Sequence, residues 1–304
     1  MTIQINALPG NAYAIRISVD TEAEKTVLID PVFDPIQLAE QTESLLGRFL
    51  KDFRVHYVLL THFYPGWETI AQLLRSSPLT TVIAQEAMIE RLKAEISVSD
   101  LNAITMKPGN EVDFPWTGTP RNSLNGDVQI GSLVMTESPY RPDGVLGELQ
   151  IANGFIINAE GHQVCHTGYH PFDPSIKDIG AAYKPDVVIF PVSAALAYGA
   201  ESVYRAIMWL GSDIVIPFDA SGIPSSDSSV ETITPIVRTL VPKEENITQL
   251  EDASSGVEQF DFAKICASID IYTPAICRVL DVGQSYSLEP THSSGRTAGP
   301  ESRY

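Results

Sequence analysis

The chain is poor in basic residues, in cysteine and in long apolar runs. Its 304 residues carry 20 Lys and Arg against 38 Asp and Glu, a formal net charge of −18. An acidic field repels phosphate backbones and anionic lipid headgroups, so neither nucleic acid nor a membrane surface is an expected partner. The three cysteines, Cys165, Cys266 and Cys277, are odd in number and share no CxxC spacing. No disulfide framework is therefore expected, and a reducing compartment is. No apolar run reaches the roughly 18–20 residues of a membrane span. Met1 to Asn6 lacks the basic and then apolar segments of a secretory leader, so the expected location is the cytoplasm. The sequon Asn246-Ile247-Thr248 is accordingly expected to stay unmodified. Walker A, GxGxxG and G-x-S-x-G patterns are missing, and Ser193 and Ser221 stand in no triad context.

What the chain does have is the composition of a folded globule, 44% hydrophobic and 19% charged. Tyr13 to Val19 alternates like a half-buried strand, and Thr26 to Pro31 reads as a more buried one. Gln37 to Asp52 carries Leu38, Leu45, Leu46, Phe49 and Leu50 at helical spacing. A strand at Tyr57–Thr61, a helix at Thr69–Arg75, a strand at Thr80–Ala84 and a helix at Gln85–Glu95 follow. That alternation predicts α/β layering. From Glu111 the pattern becomes strand-rich, with strands over 128–130, 132–136, 148–151, 155–158 and 163–167. Strand–helix alternation then resumes with Val187–Pro191, Glu201–Leu210, Asp213–Pro217 and a helix over 229–240. The pattern repeats twice, as two sheets covered by outer helices would require. One domain over residues 1–287 is expected, with a Ser-, Gly- and Pro-rich tail over 288–304.

The richest stretch is Val58-Leu59-Leu60-Thr61-His62-Phe63-Tyr64-Pro65-Gly66-Trp67, an apolar strand running into Thr-His and a loop. It resembles the place where metallo-β-lactamase-fold proteins carry T-H-x-H-x-D-H. Other segments resemble that family in the same order: Gly10-Asn11-Ala12-Tyr13, Val27-Leu28-Ile29-Asp30-Pro31, His166-Thr167-Gly168-Tyr169, Pro185 to Pro191, Ile214 to Asp219 and Leu280 to Gln284. The branch is similar to lactonases and N-acyl phosphatidylethanolamine phospholipases. The resemblance implies a four-layer αββα sandwich whose site lies where strand-end loops converge. In working members, His and Asp side chains bind one or two divalent ions that activate water.

Measured against that pattern, His62 remains, while Tyr64, Gly66 and Trp67 replace three ligand positions. Tyr140 or Arg141 stands at the third-His region, His166 at the bridging Asp, and Asp219 at the final His. A guanidinium repels a cation, and Trp offers no lone pair. These departures suggest an enzyme without the dinuclear site and without a cofactor. It would act on a small organic molecule by metal-independent acid–base chemistry of lyase, cyclase, isomerase or dehydratase type, in specialised biosynthesis. His62, His166, His170, Tyr64 and Tyr169 would be catalytic; Trp67, Tyr140, Arg141 and Asp219 would bind substrate. One alternative is an atypical ester or lactone hydrolase with one divalent metal on His62, His166 and Asp219, a set able to hold a single ion. Another is a non-catalytic binding protein on a dead hydrolase scaffold. Asp30 and Asp186 are expected to hold loops. His56 is expected at the surface or core edge and His162 in a solvated turn. Cys165 and His166 are expected on opposite faces of a strand. Oligomeric state is not legible.

Overall fold

The structure, a computed structural model, describes residues 2–8, 12–20, 23–31, 54–62, 67–96, 101–113, 131–137, 152–159, 161–168, 174–192, 200–219 and 262–288. Fourteen strands lie among them. The first sheet is built from β1 (Thr2–Ala7), β2 (Tyr13–Asp20), β3 (Ala23–Ile29), β4 (Tyr57–Leu59), β5 (Thr81–Ala84), β6 (Ala103–Thr105) and the late strand β14 (Ser285–Leu288). The second is built from β7 (Glu111–Asp113), β8 (Gly131–Glu137), β9 (Asn153–Ala159), β10 (His162–His166), β11 (Val187–Pro191), β12 (Ile214–Phe218) and β13 (Ile276–Cys277). Their orders are β14-β1-β2-β3-β4-β5-β6 and β13-β12-β11-β10-β9-β8-β7. Each sheet is half antiparallel and half parallel. Strands β3, β4, β5 and β6 run parallel, as do β10, β11, β12 and β13.

Strand side chains alternate between faces, and in the central strands both faces carry apolar residues. Val27, Ile29, Tyr57 and Leu59 point from the first sheet towards Val164, Val187, Ile189 and Ile216 of the second, forming the central core. Leu28, Val58 and Val82 point outward, onto Ile70, Leu73 and Leu74 of α1 (Trp67–Ser76) and onto Met88, Ile89 and Leu92 of α2 (Glu86–Ile96). Cys165, Val188 and Val215 likewise face α3 (Ser175–Tyr183), α4 (Ala200–Leu210) and α5 (Phe262–Tyr272). The layers are therefore helix, sheet, sheet, helix, the expected αββα sandwich.

Helices α3 and α4 approach closely at Gly180. A Cβ there would lie 1.9 Å from the Trp209 carbonyl oxygen. Gly180→Ala is therefore expected to lower stability by about 1–3 kcal/mol, because overpacking outweighs the better helix propensity of alanine. Urea unfolding checks this; an unchanged or raised midpoint would show that the helices part freely.

Several expectations need correction. Cys266 and Cys277 form a disulfide, with Cα atoms 5.0 Å apart. The turn Thr273–Ala275 folds β13 back against α5, a proximity that an 11-residue separation does not announce. His162 is not solvated; it begins β10, is buried, and lies 3.5 Å from Asp186 Oδ2. Strands β1 and β14 and helices α3 and α5 were not read from the sequence. Leu288, the first residue of the expected tail, ends β14; residues 289–304 lie outside the described residues. So do the helices expected at 37–52 and 229–240 and the strands at 128–130 and 148–151. Among the described residues no helix is long and apolar enough to cross a membrane.

Candidate functional site

The polar and titratable residues of interest cluster at the C-terminal ends of the parallel strands, where α/β sheets leave an open crevice. Asp30 follows β3, Thr61 and His62 follow β4, and Gln85 follows β5. His166 ends β10 and Asp219 follows β12. The two sheets are fastened together at this edge by Asn153, the fully buried first residue of β9. Its backbone N–H donates to the Thr61 carbonyl at 2.8 Å, and its side-chain amide donates to the Leu60 carbonyl at 3.4 Å. Gln85 donates to the Ala152 carbonyl and to Asn153 Oδ1.

Asp30 adopts a left-handed backbone conformation, with φ of 50°. Asp tolerates this region better than most residues, and the turn aims its carboxylate back at β4. Oδ1 accepts the Thr61 N–H at 2.8 Å, and Oδ2 accepts the Thr61 hydroxyl at 2.6 Å. The single hydroxyl proton of Thr61 is thereby committed to Asp30. Thr61 Oγ1 stands 2.9 Å from His62 Nδ1 and presents lone pairs to it. His62 must then carry its proton on Nδ1 and leave Nε2 unprotonated. Burial is the main cause holding the His62 pKa well below its ordinary value, and the neighbouring His166 adds to it. The ring is neutral at pH 7.

His166 is set the other way. Its ring is 1% exposed and sits between the sheets, stacked on Phe218 at 5.3 Å and edge-on to Tyr13 at 5.9 Å. The Gly168 N–H donates to its Nδ1 at 3.1 Å. Gly168 has φ of 66°, and a Cβ there would meet the Asn153 carbonyl oxygen at 2.3 Å, so the turn that delivers this N–H requires glycine. Burial lowers the His166 pKa to about 3. A neutral ring whose Nδ1 accepts carries its proton on Nε2. That atom is buried and meets no hydrogen-bond partner among the described residues.

His62 and His166 are thus brought to one edge, and Asp219 is half-buried at the end of β12. Tyr64, Tyr140, Arg141, Tyr169 and His170 lie outside the described residues. Trp67 opens α1, and its side chain also falls outside the description. Thr61 and Asn153 escaped the sequence reading. The signal for Thr61 was its place beside His62, one strand from a buried Asp; Asn153 gave none. Cys165 points into the outer core, away from His166 as expected, and burial pushes its thiol up to about 12. His56 is partly buried, accepts the Thr26 N–H through Nδ1, and has its pKa lowered to about 4 by burial and the nearby cations Lys25 and Arg54.

These groups suit a metal only in part. His62 has the form of a metal ligand: Nδ1–H is held by a hydroxyl–carboxylate pair, and Nε2 keeps its lone pair. His166 does not, because its outward nitrogen carries a proton. Among the described residues no three His, Cys, Asp or Glu side chains gather where an ion could be held, so His62, His166 and Asp219 do not form such a set.

Residues 14–219 match the model of the β-lactamase superfamily domain. A UPF0173 metal-dependent hydrolase of Methanosphaera stadtmanae is 35% identical over 176 residues, 57% of this chain and 70% of that protein. One from Methanocorpusculum labreanum is 23% identical over 47% of this chain, and the match spans 61% of that protein, less than two thirds of its length. In fold the chain is similar to Igni18, a metallo hydrolase from Ignicoccus hospitalis. The TM-score is 0.63 at 17% identity, covering 95% of this chain and 99% of that one. The relatives' names contradict the expectation of a metal-independent lyase, cyclase, isomerase or dehydratase, and with it the expectation of no cofactor.

Proposed function

From the premise that the chain belongs to the β-lactamase superfamily, matched over residues 14–219, we propose that it is a metal-dependent hydrolase. The proposed substrates are small esters or lactones, and a single domain, expected over residues 1–287 and extended to Leu288 by β14, is proposed to carry the site. The observation that carries the reading is the relay from Asp30 through Thr61 to His62, which leaves one imidazole lone pair at the strand-end edge. His62 Nε2 would be a ligand to a single divalent ion. When bound, such an ion supplies Lewis-acid polarisation and lowers the pKa of water.

The chain's own contributions follow from the relay. Asp30 accepts from Thr61, Thr61 accepts from His62, and the imidazole is held in one tautomer without depending on solvent. Burial keeps the ring neutral at neutral pH. Asp219 stands at the end of β12 as the carboxylate proposed to face substrate.

Incubating the full chain with a chelator is expected to reduce hydrolysis of p-nitrophenyl acetate or a simple lactone at least ten-fold. Stoichiometric zinc or manganese should restore it, and His62→Ala should abolish the restoration. Turnover that persists in metal-free protein, shown by elemental analysis, would refute the reading.

A further inference from the structure

We infer that His166 is a hydrogen-bond donor to the substrate's carbonyl oxygen, through Nε2–H, and not a ligand to metal. The inference rests on the hydrolase reading above for the identity of the oxygen, and on geometry for the direction of the bond.

The direction follows from the fixed Gly168 N–H. It meets His166 Nδ1 at 3.1 Å and consumes that nitrogen's lone pair. The left-handed φ of Gly168, and the Asn153 carbonyl that would collide with any Cβ, mean that only glycine can deliver this N–H to the ring. The Thr167 N–H is itself tied to the Ile189 carbonyl. Rotating the ring would break the Gly168 bond and its stacking on Phe218. The neutral ring therefore shows a proton, where His62 shows a lone pair. A histidine kept only for packing would not hold a buried N–H unmatched, since leaving such a donor unsatisfied costs about 1–3 kcal/mol. The group that fits it is an acceptor oxygen. In hydrolysis of an ester or lactone, the carbonyl oxygen gains charge as the tetrahedral intermediate forms. A pre-aimed neutral donor in a water-poor site stabilises that charge.

Resolution of the two imidazoles by 15N NMR, with zinc alone as the probe, tests the assignment in the wild-type chain. Before zinc, His166 should show a protonated Nε2 and a bare Nδ1, and His62 the reverse. On adding one equivalent of zinc, the His62 Nε2 resonance should move while His166 keeps its Nε2 proton. Loss of that proton, or a zinc-induced shift typical of a bound nitrogen at His166, would overturn the inference. If neither ring responds to zinc while His166 stays protonated at Nε2, the metal reading fails and the donor direction stands. For the oxygen, His166→Ala should lower kcat for p-nitrophenyl acetate by about 10²-fold with little change in KM. His166→Gln, which keeps an N–H, should recover part of it, and both variants should bind zinc as the wild type does. Undiminished kcat in a folded His166→Ala protein would sink the assignment.

Discussion

Replacing Asp30 with alanine is expected to lower the free energy of unfolding by about 3–5 kcal/mol, because two buried donors lose a charged acceptor together. The carboxylate is 2% exposed and takes both the Thr61 N–H and the Thr61 hydroxyl. Water cannot replace it without opening the edge. Asp30→Asn separates the structural from the chemical role. The amide oxygen can still accept the Thr61 N–H, but the amide NH2 then faces Thr61 Oγ1. The Thr61 hydroxyl must turn its proton to His62 Nδ1, and the imidazole proton moves to Nε2. Asp30→Asn should therefore unfold within about 2 kcal/mol of the wild type. It should nonetheless bind zinc about 10–100-fold more weakly, the usual consequence of losing an outer-shell partner. Urea midpoints and a zinc titration decide it. Unaltered zinc affinity in the asparagine variant would remove the relay from any part in function.

Acid should destabilise the chain before its carboxylates titrate. His62, His166 and His56 all have folded-state pKa values below the unfolded 6.5, with His166 at about 3 and His56 at about 4. These are depressed cationic groups. The unfolded chain binds the extra protons as the pH drops through 6.5, and the folded chain does not. Stability from keeping them neutral is fully present above 6.5 and falls with pH, at roughly 1.4 kcal/mol per pH unit for each fully buried histidine and less for the partly exposed His56. Across pH 7 to 5.5 the two fully buried rings, His62 and His166, should together cost about 2.5 kcal/mol, and the partly exposed His56, screened by solvent, should add less than either. The acidic net charge does not offset this, since Asp and Glu remain largely ionised in that interval. Chemical unfolding at the two pH values is the check. A flat response would mean that the rings accept protons within the folded structure.

The sandwich was legible because the central parallel strands of both sheets are buried on both faces. A strand such as Val187–Pro191 must then be apolar throughout, and the sequence shows that run directly. Strands β1 and β14 were harder. Each is short and alternates polar with apolar residues, but nothing local names its partner: they pair with each other across nearly the whole chain, Ile3 opposite Leu288. The disulfide was hidden for the same reason, since a turn and not the spacing brings Cys266 to Cys277. At the site, His62 and His166 were found by residue type, but their opposite proton placement was not. Tautomers depend on which backbone N–H or hydroxyl arrives from elsewhere in the fold. Asp30 was read as a loop anchor, which it is, yet what it anchors determines the ring beside it. The relatives' names overturned a reading drawn from missing ligands, because replaced residues report what a site has lost and not what the remaining residues can hold.

Asn153 has a mechanical meaning beyond cohesion. It holds the Leu60 and Thr61 carbonyls from the opposite sheet, while its own carbonyl leaves room only for a glycine at 168. One residue thus serves as the common datum from which both imidazoles are positioned. A slip of one sheet against the other would rotate the two rings relative to each other instead of merely widening a gap. The tolerance of this edge is set at Asn153, by a residue that need never touch the substrate.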